Sequence, residues 1–246
     1  MPTVDAETIG QRYQRVRDQV GSAAVRGRRS PDAVRIVVVT KTQPVETLRA
    51  ALEAGITEIG ENYAEEAMQK MLALGPVPGA RWHMIGHVQS RKAGLVAERF
   101  DLLHSLDSLR LAVKLDRVAL GVGRLLPVLL ECNVSGEASK YGFPAWDQDQ
   151  WAALQTEVGA ILVLPGLAVW GLMTMPPYAE SAEQSRPFFQ RLRGLRDFLS
   201  ERTRGGSWRE LSMGTSADFT TAVEEGATLV RVGTAILGPR NVTPTP

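Results

Sequence analysis

Residues 35–41 read Arg-Ile-Val-Val-Val-Thr-Lys, an unbroken β-branched apolar run between two basic residues. A run of this length is too short for a buried helix and is typical of a strand covered on both faces, as in a parallel sheet. Pro44 then opens an amphipathic helix that Gly55 closes. The segment therefore predicts one strand-helix unit of an α/β fold.

The same alternation of strand and helix repeats along the chain. Eight strands that alternate with helices imply parallel βαβ units, and about 30 residues per unit favour a closed (β/α)₈ TIM barrel over an open doubly wound sheet. No Gly-x-Gly-x-x-Gly follows the first strand, as a dinucleotide fold would require. The predicted strands are 35–40, 57–60, 81–85, 101–105, 127–133, 167–173, 209–212 and 228–232. The predicted helices after the first unit are 62–74, 90–99, 108–120, 144–158, 181–203 and 217–225.

An N-terminal helix precedes the first strand. Ile9, Tyr13, Val16 and Val20 recur at helical spacing, and Gly27 marks the end of the pattern. No Pro/Ser-rich linker divides the chain, so we expect residues 1–240 to form a single barrel domain and residues 241–246 to be a disordered tail.

Charge and cysteine content exclude several classes of protein. The 28 Lys and Arg residues balance 27 Asp and Glu residues, and a net charge of +1 gives no field that would draw the chain to nucleic acid or to an anionic membrane. A single cysteine, Cys132, excludes an internal disulfide and is consistent with a reducing compartment. No apolar run reaches the roughly 18 residues of a membrane span. We therefore expect a cytoplasmic protein.

On a (β/α)₈ barrel the chemistry lies on the loops that follow the strands. Lys41 follows four buried apolar residues, so burial could lower the pKa of its amine for Schiff-base chemistry; the alternative is a lysine that only covers apolar surface. The loops after strands seven and eight carry Ser212-Met-Gly-Thr-Ser216 and Gly233-Thr234. Small residues and hydroxyls there favour a phosphate site, although Ser216 alone could be an ordinary helix cap.

Further polar residues at these strand ends have competing interpretations. Arg231 should point into the barrel mouth near the phosphate site, or else form an ion pair with Glu61 or another acidic residue at the rim. His83 and His87 have the spacing of a zinc pair, but no helix aligns them, so a structural role is favoured. Cys132, Met173 and Met175 are expected to pack in or around the core.

Eight segments, in order over about residues 6–238, together resemble one family. The sequence is similar to the pyridoxal 5′-phosphate (PLP) homeostasis proteins, single-domain PLP-binding proteins with an alanine-racemase-like barrel (PLP fold type III). The matching segments are Val39-Thr-Lys-Thr42, Gly60-Glu-Asn-Tyr63, 82–92 (WHMIGHVQSRK), His104-Ser-Leu-Asp-Ser108, 133–142 (NVSGEASKYG), Gly171-Leu-Met-Thr174, 211–218 (LSMGTSAD) and 230–236 (VRVGTAI).

The resemblance implies a role for each matched residue. Lys41 would hold PLP as a Schiff base, and Arg231 would face the pyridine nitrogen. Thr215 stands where the family usually has Met, which puts the contacts of that loop in question. The phosphate would bind to Ser216, Gly233 and Thr234; Asn62, Met173 and Ser212 would surround the ring and phosphate; Lys140 would be a secondary attachment point.

The family resemblance implies a PLP carrier in intracellular PLP and amino-acid homeostasis, with no established catalysis. We expect a monomer, with PLP-dependent apoenzymes as acceptors. A competing hypothesis is an amino-acid racemase, with Tyr63 or His83 as a second acid or base at the rim; the chain ends soon after strand eight, without the second domain of racemases. A PLP-free Schiff-base lyase acting on a phosphorylated sugar is another hypothesis. The last is an interaction module that exposes Trp146, Trp151 and Trp208.

Overall fold

Eight parallel strands close into a ring in the computed structural model, which describes residues 5–239. Each strand pairs with its neighbours in sequence, β1 pairs with β8, and the β4–β5 pairing completes the ring. The predicted (β/α)₈ barrel is therefore confirmed. The strands are β1 (Arg35–Val39), β2 (Glu58–Glu61), β3 (Arg81–Met84), β4 (Leu102–Leu106), β5 (Leu126–Asn133), β6 (Leu167–Met173), β7 (Glu210–Thr215) and β8 (Leu229–Val232).

Helices surround the ring, and the N-terminal helix completes this outer layer. The helix that follows β8 has only four residues, and α1 packs against it, α2 and α8 in the place of a longer one. Arg26 pairs with Glu224 at 2.7 Å, which ties α1 to α8. The helices are α1 (Ala6–Arg26), α2 (Val45–Glu53), α3 (Ala64–Leu74), α4 (Ala93–Arg99), α5 (Leu109–Gly121), α6 (Trp151–Leu162), α7 (Ala182–Arg202), α8 (Phe219–Glu224) and α9 (Thr234–Leu237).

The predicted helix 144–158 is wrong in both of its limits. Phe143–Pro144 forms a short strand that pairs with the end of β5, and a 3₁₀ turn, Gln148–Gln150, leads into α6. Proline disfavours a helical conformation in the residue before it, so the chain stays extended there. The helix then continues through Gly159, where an added Cβ would meet nothing within 4 Å.

The barrel interior is partly apolar and partly polar. A small cluster of Val37, Leu102, Leu129, Met173 and Leu229 fills part of it, while the larger core lies between the strands and the helices. The interior is narrow: a Cβ at Gly60 would lie 2.8 Å from Val37 Cγ1. Strand residues that lie two positions from a member of this cluster, or align with one across neighbouring strands, also face the interior, and several of them are polar.

None of the helices formed by residues 5–239 combines the length and the apolar character that crossing a bilayer requires. The tail expected at residues 241–246 lies outside the described residues.

Candidate functional site

The structure brings the loops after β7 and β8 into direct contact. Ser216 Oγ accepts a hydrogen bond from the backbone N–H of Gly233 at 3.3 Å. Gly233 also lies against the end of β1, since a Cβ at this position would be 3.2 Å from the carbonyl oxygen of Val39. The two small-residue loops and the strand that precedes Lys41 therefore meet at one part of the barrel mouth.

Asp218 shapes the loop that carries Ser216. Its Oδ1 accepts hydrogen bonds from the backbone N–H of Thr215 at 2.7 Å and from the Thr215 hydroxyl at 3.1 Å. The helix begins at Phe219 rather than at 217, and Asp218 is the residue that precedes its first turn. The sequence-based view of Ser216 as a helix cap is therefore wrong: its hydroxyl contacts the β8 loop instead.

Lys41 is half-buried, and the backbone on both sides of it is held in place. The Thr40 hydroxyl donates to Glu61 Oε1 at 2.6 Å, and Lys70 Nζ donates to the Thr40 carbonyl at 2.7 Å. Thr42 has φ of +60°, and its N–H donates to Glu66 at 2.6 Å. These contacts fix the position at which the Lys41 side chain leaves the backbone.

The Arg231 guanidinium is 4% exposed and lies beneath this part of the mouth. It donates to Ser212 Oγ at 2.5 Å and to the Thr174 carbonyl at 2.8 Å, and it contacts Met175 Sδ at 2.9 Å. These three acceptors are neutral. Burial lowers the pKa of Arg231 to about 10, so the group remains a cation at neutral pH. Glu61 pairs instead with Lys70 at 2.6 Å, in place of the alternative Arg231 ion pair.

Three buried polar atoms in or just after strands β2 and β5 have no hydrogen-bond partner within residues 5–239: Glu61 Oε2, Asn62 Oδ1 and Glu131 Oε2. Asn62 follows β2 and is packed against Gly86, where any Cβ would lie 2.4 Å from the Asn62 carbonyl oxygen. Burial, with a smaller effect of the Asp107 charge, raises the pKa of Glu131 to about 7. Unsatisfied buried atoms of this kind fit a site that receives a polar ligand.

Sequence reasoning did not identify Glu131. In β5, Leu129 belongs to the interior cluster, so alternation turns Glu131 and Asn133 inward as well. This period of two in the sequence of β5 could have identified Glu131 as an interior residue. The apolar residues around Glu131 indicate core packing instead.

The remaining predicted site residues lie at different depths. Met173 is fully buried in the interior cluster, whereas Thr234 is exposed. Lys140 Nζ donates to the Pro176 carbonyl at 3.4 Å. Lys140 also borders a cavity of about 220 Å³ that Thr215 lines. The loop lysine therefore reaches the same side of the mouth as the Ser216 loop.

The structure bears on the remaining sequence-based hypotheses and contradicts some of them. His83 is fully buried inside the barrel, so it is not a rim acid or base. His87 makes different contacts: its Nδ1 lies 2.9 Å from Asp107 Oδ2, and its ring stacks on Tyr141. Tyr63 is 54% exposed. Of the three candidate surface tryptophans, Trp146 is 40% exposed, whereas Trp151 and Trp208 are buried in the core. Cys132 is buried in the core, as predicted, and burial raises the pKa of its thiol.

Comparison with known proteins gives consistent relationships. Residues 13–241 match the family model described as alanine racemase, N-terminal domain. The pyridoxal phosphate homeostasis protein of Escherichia coli K12 is 38% identical over 236 residues, which cover 95% of this chain and 97% of that protein. The protein of the same name from Pseudomonas aeruginosa is 39% identical over 235 residues, covering 95% and 96%.

Solved structures with the same fold include close and distant proteins. PipY of Synechococcus elongatus with PLP bound has a TM-score of 0.81 and 33% identity, and the match covers 94% of this chain and 100% of PipY. Alanine racemase from Corynebacterium glutamicum has a TM-score of 0.70 at 16% identity, with 99% of this chain and 64% of that protein covered. The second similarity concerns the fold alone.

Proposed function

The chain belongs to the pyridoxal phosphate homeostasis proteins within the alanine racemase N-terminal domain family, and on that premise we propose that it binds PLP at the barrel mouth and serves in PLP homeostasis. Relatives with this name match nearly the whole chain. The PipY structure with bound PLP has the same fold at 33% identity.

The contact between Ser216 and Gly233 carries the proposal for the site. It joins the two loops that on barrels of this type commonly hold a phosphate, and it does so beside the end of the strand that leads to Lys41. The unpartnered Asn62 Oδ1 is an independent indication that the mouth accepts a polar group. The residues present therefore fit a phosphorylated aldehyde.

PLP supplies an aldehyde that condenses with a lysine amine, with loss of one water, and a ring that can accept electrons. In our proposal the amine belongs to Lys41, and the phosphate binds at Ser216, Gly233 and Thr234. Asn62, Met173 and Ser212 border the ring and phosphate, and Lys140 is a secondary attachment point.

Arg231 would face the pyridine nitrogen. A guanidinium donates a hydrogen bond but does not give up its proton, so the ring stays neutral and attracts electrons weakly. Chemistry that needs a strong electron sink is therefore disfavoured at such a site.

Reductive labelling tests the proposal. Purified protein incubated with PLP should develop an absorbance band in the near-ultraviolet to visible range, and borohydride should fix the label mainly on Lys41, as peptide mass spectrometry reports. Lys41→Ala should lose this label, with any residual label on Lys140. Lys92→Ala is the matched control, because Lys92 is another partly buried lysine near the rim, bonded to Glu65. Equal labelling of wild type and Lys41→Ala would refute the site.

We further propose a monomeric, cytoplasmic carrier that releases PLP to PLP-dependent apoenzymes. The near-zero net charge supports a protein without a polyanionic partner. Sedimentation tests the monomer, and transfer of cofactor from the loaded protein to an apoenzyme tests the carrier.

Of the two rim candidates considered for a racemase, only Tyr63 lies at the surface. Racemisation of an amino acid by the loaded protein would overturn the carrier proposal. A PLP-free lyase would bind a sugar phosphate without developing the band.

A further inference from the structure

A continuous chain of hydrogen bonds crosses the barrel interior. At the end opposite the mouth, the Glu58 carboxylate bonds to His83 Nε2. His83 Nδ1 lies 2.9 Å from His104 Nε2, and His104 Nδ1 lies 2.8 Å from Ser212 Oγ. Arg231 donates to Ser212 Oγ at 2.5 Å and completes the chain at the mouth. We call these five residues the relay.

The two ends of the relay fix the direction of every hydrogen bond in it. Arg231 is a cation that can only donate, and ionised Glu58 can only accept. His83 Nε2 must therefore carry a hydrogen, which leaves His83 Nδ1 to accept the Nε2 hydrogen of His104. His104 Nδ1 then accepts the hydroxyl hydrogen of Ser212. In this arrangement Ser212 has no hydrogen left for a ligand at the mouth.

A neutral group at position 58 would permit the hydrogen bonds of the relay to run in the opposite direction. His83 would donate from Nδ1 to His104, and His104 would donate from Nδ1 to Ser212. Ser212 Oγ would then accept from both His104 and Arg231, and its own hydrogen would be free to point elsewhere. The charge of Glu58 therefore selects between two arrangements of the mouth.

The electrostatic surroundings keep the first arrangement in place. Burial alone would raise the pKa of Glu58, but the hydrogen bond from His83, with the charges of Arg81 and Arg35, outweighs it and holds that pKa below its usual value. Burial lowers the pKa of His83, and it lowers that of His104 well below the ordinary value. A carboxylate beside a neutral imidazole and two arginines stays ionised.

Further charged or titratable groups surround the two ends. At the Glu58 end, which borders a cleft of about 820 Å³ beneath α1, they are Tyr13 and Arg17 of α1, Arg35 of β1, Arg81 of β3 and Glu210 of β7. At the mouth, the carboxylates of Asp218 and Glu131 act on Arg231.

We propose that Glu58, His83 and His104 are positioning residues that set the direction of the Ser212 hydroxyl, so that the Arg231 guanidinium is the donor this end of the relay presents to a bound ring. The relay itself is a property of the unliganded protein. Its consequence for the cofactor rests on the proposed function.

Histidine tautomers in the cofactor-free protein test the relay directly. The sequence has three histidines, so a long-range ¹H–¹⁵N spectrum of histidine-labelled protein shows three rings, and His87→Gln identifies the surface one. At about pH 7 both His83 and His104 should be neutral and carry their hydrogen on Nε2. A wild-type His104 that carries its hydrogen on Nδ1 would overturn the proposal.

A pair of matched variants tests the control by Glu58. Glu210 is another carboxylate at the same end, more deeply buried than Glu58; it pairs with Arg35 at 2.7 Å and accepts from Thr228, outside the relay. In Glu58→Gln, the amide can bind His83 through its oxygen or its nitrogen, so at least about a tenth of His104 should carry its hydrogen on Nδ1. Glu210→Gln should leave the His104 tautomer unchanged. An unchanged His104 in Glu58→Gln, or an equal change in both variants, contradicts the proposal.

Ser212→Ala tests the other end if Glu58→Gln does not fold. It removes the donor to His104 Nδ1, so the ¹⁵N shift of that atom should move toward the value of an unbonded nitrogen, while His83 keeps its hydrogen on Nε2. An unmoved His104 Nδ1 shift would refute the relay.

The PLP-loaded protein tests the consequence for the cofactor. The midpoint of a pH titration of the visible band should shift by about 0.5 unit or more in Glu58→Gln, and by less in Glu210→Gln. Equal shifts in the two variants would refute the influence on the ring. If the tautomers behave as expected but no band forms with PLP, the proposed function fails while the relay stands.

Discussion

Replacing Lys70 with Met should destabilise the protein by about 3 to 5 kcal/mol, because it leaves a buried carboxylate without its counter-ion. Lys70 Nζ lies 2.6 Å from Glu61 Oε1 and 2.7 Å from Glu66 Oε1, and it donates to the Thr40 carbonyl at 2.7 Å. The side chains of Lys70 and Glu61 are 4% and 0% exposed, so water cannot take over these contacts. For a chain of this size the melting temperature should fall by roughly 10 °C.

The pH dependence of the loss has a definite sign. Burial raises the pKa of Glu61 above its usual value even with Lys70 opposite it. Without Lys70 this pKa rises further, so protonation relieves the unpaired charge as the pH falls. The Lys70→Met loss should therefore be larger at about pH 8 than at about pH 5. Adding Glu61→Met removes the stranded charge and should recover at least about half of the loss.

Urea denaturation, followed by tryptophan fluorescence, measures these differences. Lys92→Met is the matched control: Lys92 pairs with the half-exposed Glu65, and a surface pair of this kind contributes about 1 kcal/mol or less. If Lys70→Met loses no more stability than Lys92→Met, or if its loss does not depend on pH, the buried charge is not what Lys70 neutralises.

Three further predictions concern the mouth. Gly86→Ala should lose about 2 kcal/mol or more of unfolding free energy in denaturant, because its Cβ would lie 2.4 Å from the Asn62 carbonyl oxygen. Gly94→Ala in α4 is the control: a Cβ there meets open space, so this variant should be as stable as the wild type or more stable. Equal losses in the two variants would contradict the predicted clash. The raised Glu131 pKa, about 7, means that wild-type stability should fall by up to about 3 kcal/mol between pH 4.5 and 7 from this group. Glu131→Gln should remove this part of the fall in pH-dependent denaturation, and an undiminished fall would assign it to another group. Ser216→Ala should weaken PLP binding by about 10-fold or more and leave pyridoxal binding unchanged in a titration, since it removes one donor to the phosphate; an equal loss for both ligands would refute this contact.

The sequence was sufficient for the strand order and for the prediction that the Ser216 and Gly233 loops lie together at the mouth. β-branched runs such as 35–39 have few alternatives to a buried strand, and small residues at Ser216 and Gly233 are distinctive once the barrel is assumed. The sequence did not show that residues 144–158 contain the end of a short strand and a turn before the helix. Their apolar residues suit a helix throughout, and the extended conformation at Pro144 depends on pairing with β5.

The relay lay beyond sequence reasoning for a different reason. Whether Glu58, His83 or His104 faces the interior depends on the register between neighbouring strands, and a shift of one residue would turn each of them outward. Sequence placed His83 at the rim, because it lies near the end of the predicted strand 81–85, whereas the structure buries it inside the barrel. Only the closed ring shows that these side chains meet one another.

The bond between His104 and Ser212 joins residues that are 108 positions apart, one from each half of the barrel. A fragment made of β1–β4 alone would contain the His104 acceptor without its donor, and the complementary fragment would contain Ser212 and Arg231 without the imidazole. Neither half could bury its polar interior with these hydrogen bonds satisfied. The two halves of the barrel should therefore unfold together as one cooperative unit, and neither should persist as a stable half-barrel.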